Sequence, residues 1–327
     1  MTQRRIVHVL DDVAMGGVMR ALKNFEHPVL QACGEHVTVD VSKERARAIS
    51  GNDIAIVHYT ANWKKLMALS DLKLRGGFER VIMIEHSYTS GFQKYEVTKP
   101  RRFHAMLRIA YGLADQVVSV SNEQKNWMLT NKLTSREKLT TIPQSRDCSE
   151  ISELPYPVRT NRPLRIGAFG RFHRQKGFDL LLEAMALISP DVAELKLAGK
   201  GDLLDEFASR ASEIPNVEIC PAFTSPNEFL SSVDVVAIPS RWEAFGLVGT
   251  EARAAGRPII ASDVDGLRDQ AGYHAFMHRV GDVQDIVRAI QLAASVTDNT
   301  QRAVAARKSA IVEYEAMIAG WEALLSE

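Results

Sequence analysis

Short apolar runs alternate with helix-compatible stretches along almost the whole chain. This alternation restricts the fold more than any other feature of the sequence. Strands that alternate with helices pair in parallel through crossover connections, and a strand buried on both faces reads as a continuous apolar run. Strands are predicted at residues 6–10, 37–41, 53–58, 80–84, 116–120 and 139–142, then at 164–169, 195–198, 217–219, 233–238 and 258–261. Helices are predicted at 18–24, 63–69, 101–112, 122–129, 178–188, 203–212, 227–232, 247–255 and 283–294. Ser121 and Gln124 make a capping box for one of them, and Val283, Ile286, Val287 and Ile290 fall on one face of another. The fold class is α/β, with two Rossmann-like domains.

The 327 residues are too many for one ordinary core and suit two domains. From Pro143 to Pro163 the apolar period lapses and prolines cluster, which reads as a linker. The expected organisation is a first domain at 1–148, a linker at 149–163, a second domain at 164–310 and a terminal helix at 311–327. Ile311, Tyr314, Ile318, Trp321 and Leu325 give that helix one apolar stripe, suited either to the first domain or to packing within the second.

Bulk properties exclude several classes. A hydrophobic content of 46% with 24% charged residues is ordinary for a globular chain. No apolar run approaches the roughly 20 residues that span a bilayer, and the run at 6–10 is too short for a signal peptide. Cys33, Cys148 and Cys220 show neither metal spacing nor pairing, so a reduced, cytoplasmic protein is expected. Residues 1–150 carry 22 Lys and Arg against 16 Asp and Glu, and residues 151–327 carry 18 against 24. The basic first half suits an anionic partner, although domains also vary this much without one.

The most informative stretch is Pro239-Ser240-Arg241-Trp242-Glu243-Ala244-Phe245-Gly246-Leu247-Val248-Gly249-Thr250-Glu251-Ala252. A strand leads into it, a Gly-containing turn follows, and a helix begins. The helix start offers unpaired N–H groups to an anion or to hydroxyls, and Glu243 and Glu251 can accept hydrogen bonds from the diols of a sugar and a ribose. The whole string resembles the signature of retaining GT-B glycosyltransferases, specifically glycosyltransferase family 4. The resemblance covers the second half of the chain and, more loosely, the first. It implies two Rossmann-like domains facing across a cleft: an acceptor-binding first domain, a nucleotide-sugar-binding second domain, and a terminal helix that crosses back to the first.

Residue by residue, the resemblance implies that Glu251 takes the ribose and Glu243 the donor sugar. The N–H groups of Ala244, Phe245 and Gly246 would hold sugar hydroxyls or phosphate. Gly170-Arg171-x4-Lys176-Gly177 resembles the family's phosphate loop, in which Arg171 and Lys176 clamp the diphosphate; fixed cations there stabilise charge that grows as the glycosyl bond breaks. Gly199, with Gly201, resembles the turn beneath the nucleotide, and Phe223 falls where backbone contacts the base; for these a plain turn or packing role is equally available. Gly16 and Gly17 follow the first strand where the family has a glycine loop, and glycine admits close approach of phosphate. His86 ends a strand where the family carries a histidine beside the donor sugar. His58 is read as a buttress and His8 as a packed residue.

Asp263-Val264-Asp265 has the form of the metal motif of a different fold, but its second Asp is read as incidental, and neither cofactor nor metal is expected. The implied reaction is transfer of a sugar from a nucleotide-sugar donor to a glycan or lipid-linked acceptor with retention of configuration. The leaving diphosphate would act as base, in surface polysaccharide or glycolipid synthesis. The alternatives are a catalytically silent GT-B scaffold in a glycan-assembly complex and a GT-B epimerase. Lys94, Lys99, Arg101, Arg102, His104 and Arg108 interleave with Phe103, Met106, Leu107 and Ile109. Such a helix either docks on anionic membrane or packs on the sheet with a solvated basic face. No nucleic-acid partner is expected.

Overall fold

The computed structural model describes residues 4–11, 21–159, 162–220, 225–296 and 298–327. It divides into two compact units, one of residues up to Arg146 together with Tyr314–Glu327, the other Asp147–Glu313. Gly16, Gly17 and Phe223 lie outside the described residues.

The first unit is a six-stranded parallel sheet in the order β2-β1-β3-β4-β5-β6. Its strands are β1 (Arg5–Leu10), β2 (Glu35–Asp40), β3 (Ile54–Val57), β4 (Arg80–Glu85), β5 (Gln116–Ser119) and β6 (Leu139–Thr141). All four residues of β3 are buried, as a central parallel strand with both faces covered requires. Chain order reverses between β1 and β3, where Val9 pairs with Val57. The helix Asn122–Thr130 is capped by Ser121, whose hydroxyl accepts from the N–H of Gln124, while Gln124 Oε1 accepts from the N–H of Val120. The basic helix Pro100–Leu113 buries Met106, Leu107, Ala110 and Tyr111 and leaves Arg101 and Arg102 exposed. Among the described residues no helix is long and apolar enough to cross a membrane.

The second unit is another six-stranded parallel sheet, ordered β12-β11-β10-β7-β8-β9. It comprises β7 (Leu164–Arg171), β8 (Ala193–Lys200), β9 (Val217–Cys220), β10 (Val235–Ile238), β11 (Ile259–Ser262) and β12 (Ala275–His278). Strand β12 escapes the sequence reading. It is short and edge-placed, and its burial alternates rather than running continuously. The helix Val283–Ser295 buries Ile286, Val287 and Ile290 on the expected face. Within this unit chain order reverses between β7 and β10, which are hydrogen-bonded neighbours.

The Pro-rich stretch is anchored to the second unit. Arg257, fully buried, donates to the carbonyls of Pro155, Ala255 and Leu230. Arg307 donates to the carbonyl of Leu154 and lies over the Tyr156 ring at 4.1 Å. Arg162 forks onto Asp234 at 2.6 and 2.8 Å.

The terminal helix runs from Thr300 to Ser326, starting ahead of the expected 311. Its apolar stripe also differs from the one read. Ile311 is 45% exposed, and the buried positions are Ala303, Ala306 and Ala310, followed by Met317, Ile318, Trp321, Leu324 and Leu325. The alanines belong to the second unit and the large residues to the first. Counting large side chains alone therefore misses the alanine half of the face. In the first unit Trp321 packs edge-on against Phe25 at 5.1 Å, and the carbonyls of Leu324 and Leu325 accept from Arg80 and Arg4.

Candidate functional site

In an open parallel sheet, ligands bind beyond the carboxyl ends of the strands where chain order reverses. In the second unit that point lies beyond β7 and β10. The loop after β7 carries Gly170, Arg171 and Lys176; the loop after β10 carries Glu243, Ala244, Phe245 and Gly246, and Glu251 lies about one turn into the helix Leu247–Ala254.

The two loops are stitched together. The Arg241 N–H donates to the Gln175 carbonyl at 2.7 Å, and Gln175 Nε2 returns a bond to the Trp242 carbonyl at 3.1 Å. The Arg241 guanidinium forks onto Asp179 at 2.8 and 2.6 Å. Burial works to raise the Asp179 pKa, but this pairing and nearby N–H donors outweigh it, and the carboxyl stays ionised below the usual carboxylate range. Gly177 makes the close approach possible. It sits at φ +67°, and a Cβ there would lie 2.0 Å from the Pro239 carbonyl oxygen.

Lys176 Nζ meets Glu243 Oε2 at 2.5 Å, with both side chains largely buried. Ser240 Oγ donates to the same oxygen at 3.3 Å. The Lys176 stem passes Gly170, where an added Cβ would lie 3.8 Å from Lys176 Cε. Arg171 is exposed at the end of β7. Gly170 pairs in register with Gly199 across β7 and β8, and a Cβ on Gly199 would meet the Gly170 carbonyl oxygen at 1.9 Å.

The helix start is uncapped. Gly246, at φ +98° and ψ 76°, occupies the N-cap without a side-chain hydrogen bond. The carbonyls of Phe245 and Gly246 accept from Gln270 Nε2 at 2.6 and 3.1 Å. No hydrogen bond within the described residues engages the N–H groups of Ala244, Phe245 or Gly246. Three successive N–H groups without hydrogen-bond partners among the described residues, beside an uncapped helix start, suit an anion. Glu251 is 1% exposed.

Several residues that shape this loop carry no signal in the sequence pattern. Gln270 Oε1 accepts from Arg253 at 3.1 Å, and Arg253, 2% exposed, pairs with Glu313 at 2.6 Å. Asp265 is not incidental as read. At φ +41° it turns its carboxylate onto the Glu243 N–H at 3.3 Å, while the Gly266 N–H donates to the Glu243 carbonyl. Asp263 instead pairs with Arg268 at 2.7 Å. Among the described residues no group of three His, Cys, Asp or Glu side chains could hold a metal ion.

In the first unit His86 directly follows β4 and His58 directly follows β3. His86 Nε2 lies 3.4 Å from His58 Nδ1, and His58 Nε2 lies 2.9 Å from His8 Nδ1. Burial holds all three rings neutral: it lowers His8 to about 3, His86 to about 4 and His58 well below its ordinary value. Glu85, the last residue of β4, is buried and its pKa is raised by that burial, against hydrogen bonds from the Tyr88 and Ser87 N–H groups and the Tyr111 hydroxyl.

Two parallel six-stranded sheets with this connectivity define the GT-B glycosyltransferase fold. HepE from Anabaena, solved in complex with UDP and glucose, superposes with a TM-score of 0.72 at 17% identity, covering 99% of this chain and 98% of that one. Residues 163–295 match the family model Glycosyl transferases group 1. The capsular polysaccharide biosynthesis glycosyltransferase CapM of Staphylococcus aureus is 26% identical over 207 residues, 58% of this chain and 54% of CapM. The lipopolysaccharide core biosynthesis mannosyltransferase LpsB of Rhizobium meliloti is 30% identical over 110 residues, 30% of this chain and 31% of LpsB. The matches thus span about half or less of the length of these curated relatives.

Proposed function

We propose that this protein transfers a sugar from a nucleotide-sugar donor to a glycan or lipid-linked acceptor with retention of anomeric configuration, as a member of glycosyltransferase family 4. The observation that carries the reading is the stitched pair of loops beyond β7 and β10. They bring the Lys176 ammonium, the Glu243 carboxylate and the N–H groups of Ala244, Phe245 and Gly246 to one sheet end. In this reading the diphosphate draws Lys176 away from Glu243, and Arg171 closes on it from the β7 terminus. Glu243, released, accepts from donor sugar hydroxyls. Glu251 takes the ribose, with Gly170 and Gly199 leaving room for the nucleotide; the family resemblance also assigns Gly16, Gly17 and Phe223 to donor binding. The same resemblance assigns His86 to the donor sugar.

As the glycosyl bond breaks, charge grows on the diphosphate. Lys176, Arg171 and the helix start are fixed in advance to stabilise it, and the leaving phosphate accepts the proton of the acceptor hydroxyl. The reading assigns charge neutralisation to these groups and needs no metal, so activity is expected to survive a chelator. The names of CapM and LpsB support surface polysaccharide or lipopolysaccharide as the acceptor class. Peripheral contact with anionic membrane is supported by the exposed Arg101 and Arg102, with Arg102 lying over the Trp63 ring at 5.5 Å; flotation with phosphatidylglycerol vesicles tests it.

The test is proton NMR of the sugar released or transferred from a panel of UDP, GDP and ADP sugars. Product carrying the donor's anomeric configuration supports the reading. Inverted product overturns retention, and donor bound but never cleaved moves the silent scaffold ahead.

A further inference from the structure

The histidines of the first unit form one connected line. His36 Nε2 lies 2.9 Å from the Leu30 carbonyl oxygen, His36 Nδ1 lies 2.9 Å from His8 Nε2, and the line continues through His58 to His86. A carbonyl oxygen can only accept, so His36 Nε2 carries the proton and its Nδ1 is an acceptor. A neutral imidazole has one donor and one acceptor, so every later ring is then fixed. His8 donates from Nε2 to His36 and accepts on Nδ1; His58 donates from Nε2 to His8 and accepts on Nδ1; His86 donates from Nε2 to His58. His86 Nδ1 is left as a lone-pair acceptor, buried and without a hydrogen-bond partner among the described residues. The His86 ring also edges a cavity of about 30 Å³ shared with His58, Asn24, Phe25, Gln144 and Trp321, which has room for about one water or hydroxyl.

We propose that Leu30, His36, His8 and His58 are a directional hydrogen-bond relay that locks the tautomer of His86, presenting its Nδ1 solely as an acceptor for a hydroxyl group of the substrate. The packing supports a polarised chain. His8 and His36 stack at 5.2 Å and His58 and His86 at 5.7 Å, and Phe25 lies against His8, His36 and His58, walling three of the rings with an apolar face. A ring that could flip its proton would offer a donor or an acceptor at random. A ring locked at its far nitrogen discriminates a hydroxyl, which can donate, from a carbonyl, which cannot. His8, His36 and His58 are thus positioning residues, acting on substrate only through His86. The lock itself follows from the four rings and one carbonyl; the substrate contact rests on the proposed function.

Long-range proton–nitrogen NMR of the full chain, with labelled histidine, reads each ring's tautomer without substrate. At pH 7.5 we expect His8, His36, His58 and His86 all neutral with the proton on Nε2. A proton on His86 Nδ1, or a charged ring in the line, overturns the relay, and this arm needs no variant. In His36→Phe the His8 Nε2–H loses its acceptor, and reversing every ring relieves that loss. His86, untouched by the substitution, should then move its proton to Nδ1, and kcat/KM should fall about tenfold, the worth of roughly one hydrogen bond. An unchanged His86 tautomer overturns the relay. A reversed tautomer with unchanged kcat/KM overturns the substrate contact while the relay stands. Failure to turn over any donor in the wild type counts against the proposed function alone, because the tautomers are read without substrate.

Discussion

The neutral histidines make a quantitative demand on stability. His8 and His58 are 2% and 3% exposed, and burial holds His8 at about 3 and His58 well below the ordinary imidazole value of about 6.5. In the unfolded chain both rings protonate as pH falls through about 6.5, whereas the folded rings do not. The unfolded state then binds more protons, so stability present above pH 6.5 is lost on acidification, at up to about 1.4 kcal/mol per pH unit per ring. Integrated from pH 7 to pH 5, each ring costs about 2 kcal/mol and the pair about 4, a large share of a typical domain's 5–15 kcal/mol. Carboxylates with lowered values, such as Asp53 and Asp179, titrate below this window and do not obscure it. Hydrogen exchange of peptides covering β1 and β3 reports opening of the first unit itself, avoiding a two-state treatment of the whole chain. His58→Leu should lower stability at pH 7 yet weaken the pH dependence by about 2 kcal/mol, or about 25-fold in protection, between pH 5 and 7. Equal opening free energies at pH 5 and pH 7 in the wild type, or an unaltered dependence in the variant, would refute the reasoning.

Gln270→Leu removes the donor to the Phe245 and Gly246 carbonyls and the acceptor for Arg253. It should destabilise the second unit by about 1–3 kcal/mol, measured by urea unfolding, and weaken nucleotide binding measured by calorimetry. Gly177→Ala forces a side chain into a left-handed backbone and against the Pro239 carbonyl. A loss of at least about 1 kcal/mol in thermal unfolding is expected, together with weaker nucleotide binding as the two loops part. Glu313→Gln leaves Arg253, 2% exposed, without its charged partner. It should cost several kcal/mol, about 3 if the site behaves like other buried pairs, in the same unfolding measurement.

Both sheets were legible because their strands announce themselves locally. Runs such as Ile54–Val57 and Val235–Ile238 are buried at every residue and are continuous in sequence. Strand β12 was not, since an edge strand needs no such run, and the first half of the terminal helix was hidden in alanines that pack closely without looking apolar. The loops after β7 and β10 could be read because each holds its chemistry within a few residues. The groups that set their geometry could not. Gln270, Asp265 and Glu313 reach Gly246, Glu243 and Arg253 from distant positions, and only the strand order brings them together. The histidine line is the same case: His8, His36, His58 and His86 stand on or beside four different strands, and nothing in their spacing marks them as neighbours.

The central claim is a nucleotide-sugar site built on Lys176 and Glu243. Thermal shift with UDP, GDP, ADP and their sugar conjugates, on the wild type and on Lys176→Ala, tests it most directly. The account predicts a clear rise with one nucleotide family in the wild type, abolished in the variant. No rise with any of them, or a rise that Lys176→Ala leaves intact, would contradict it.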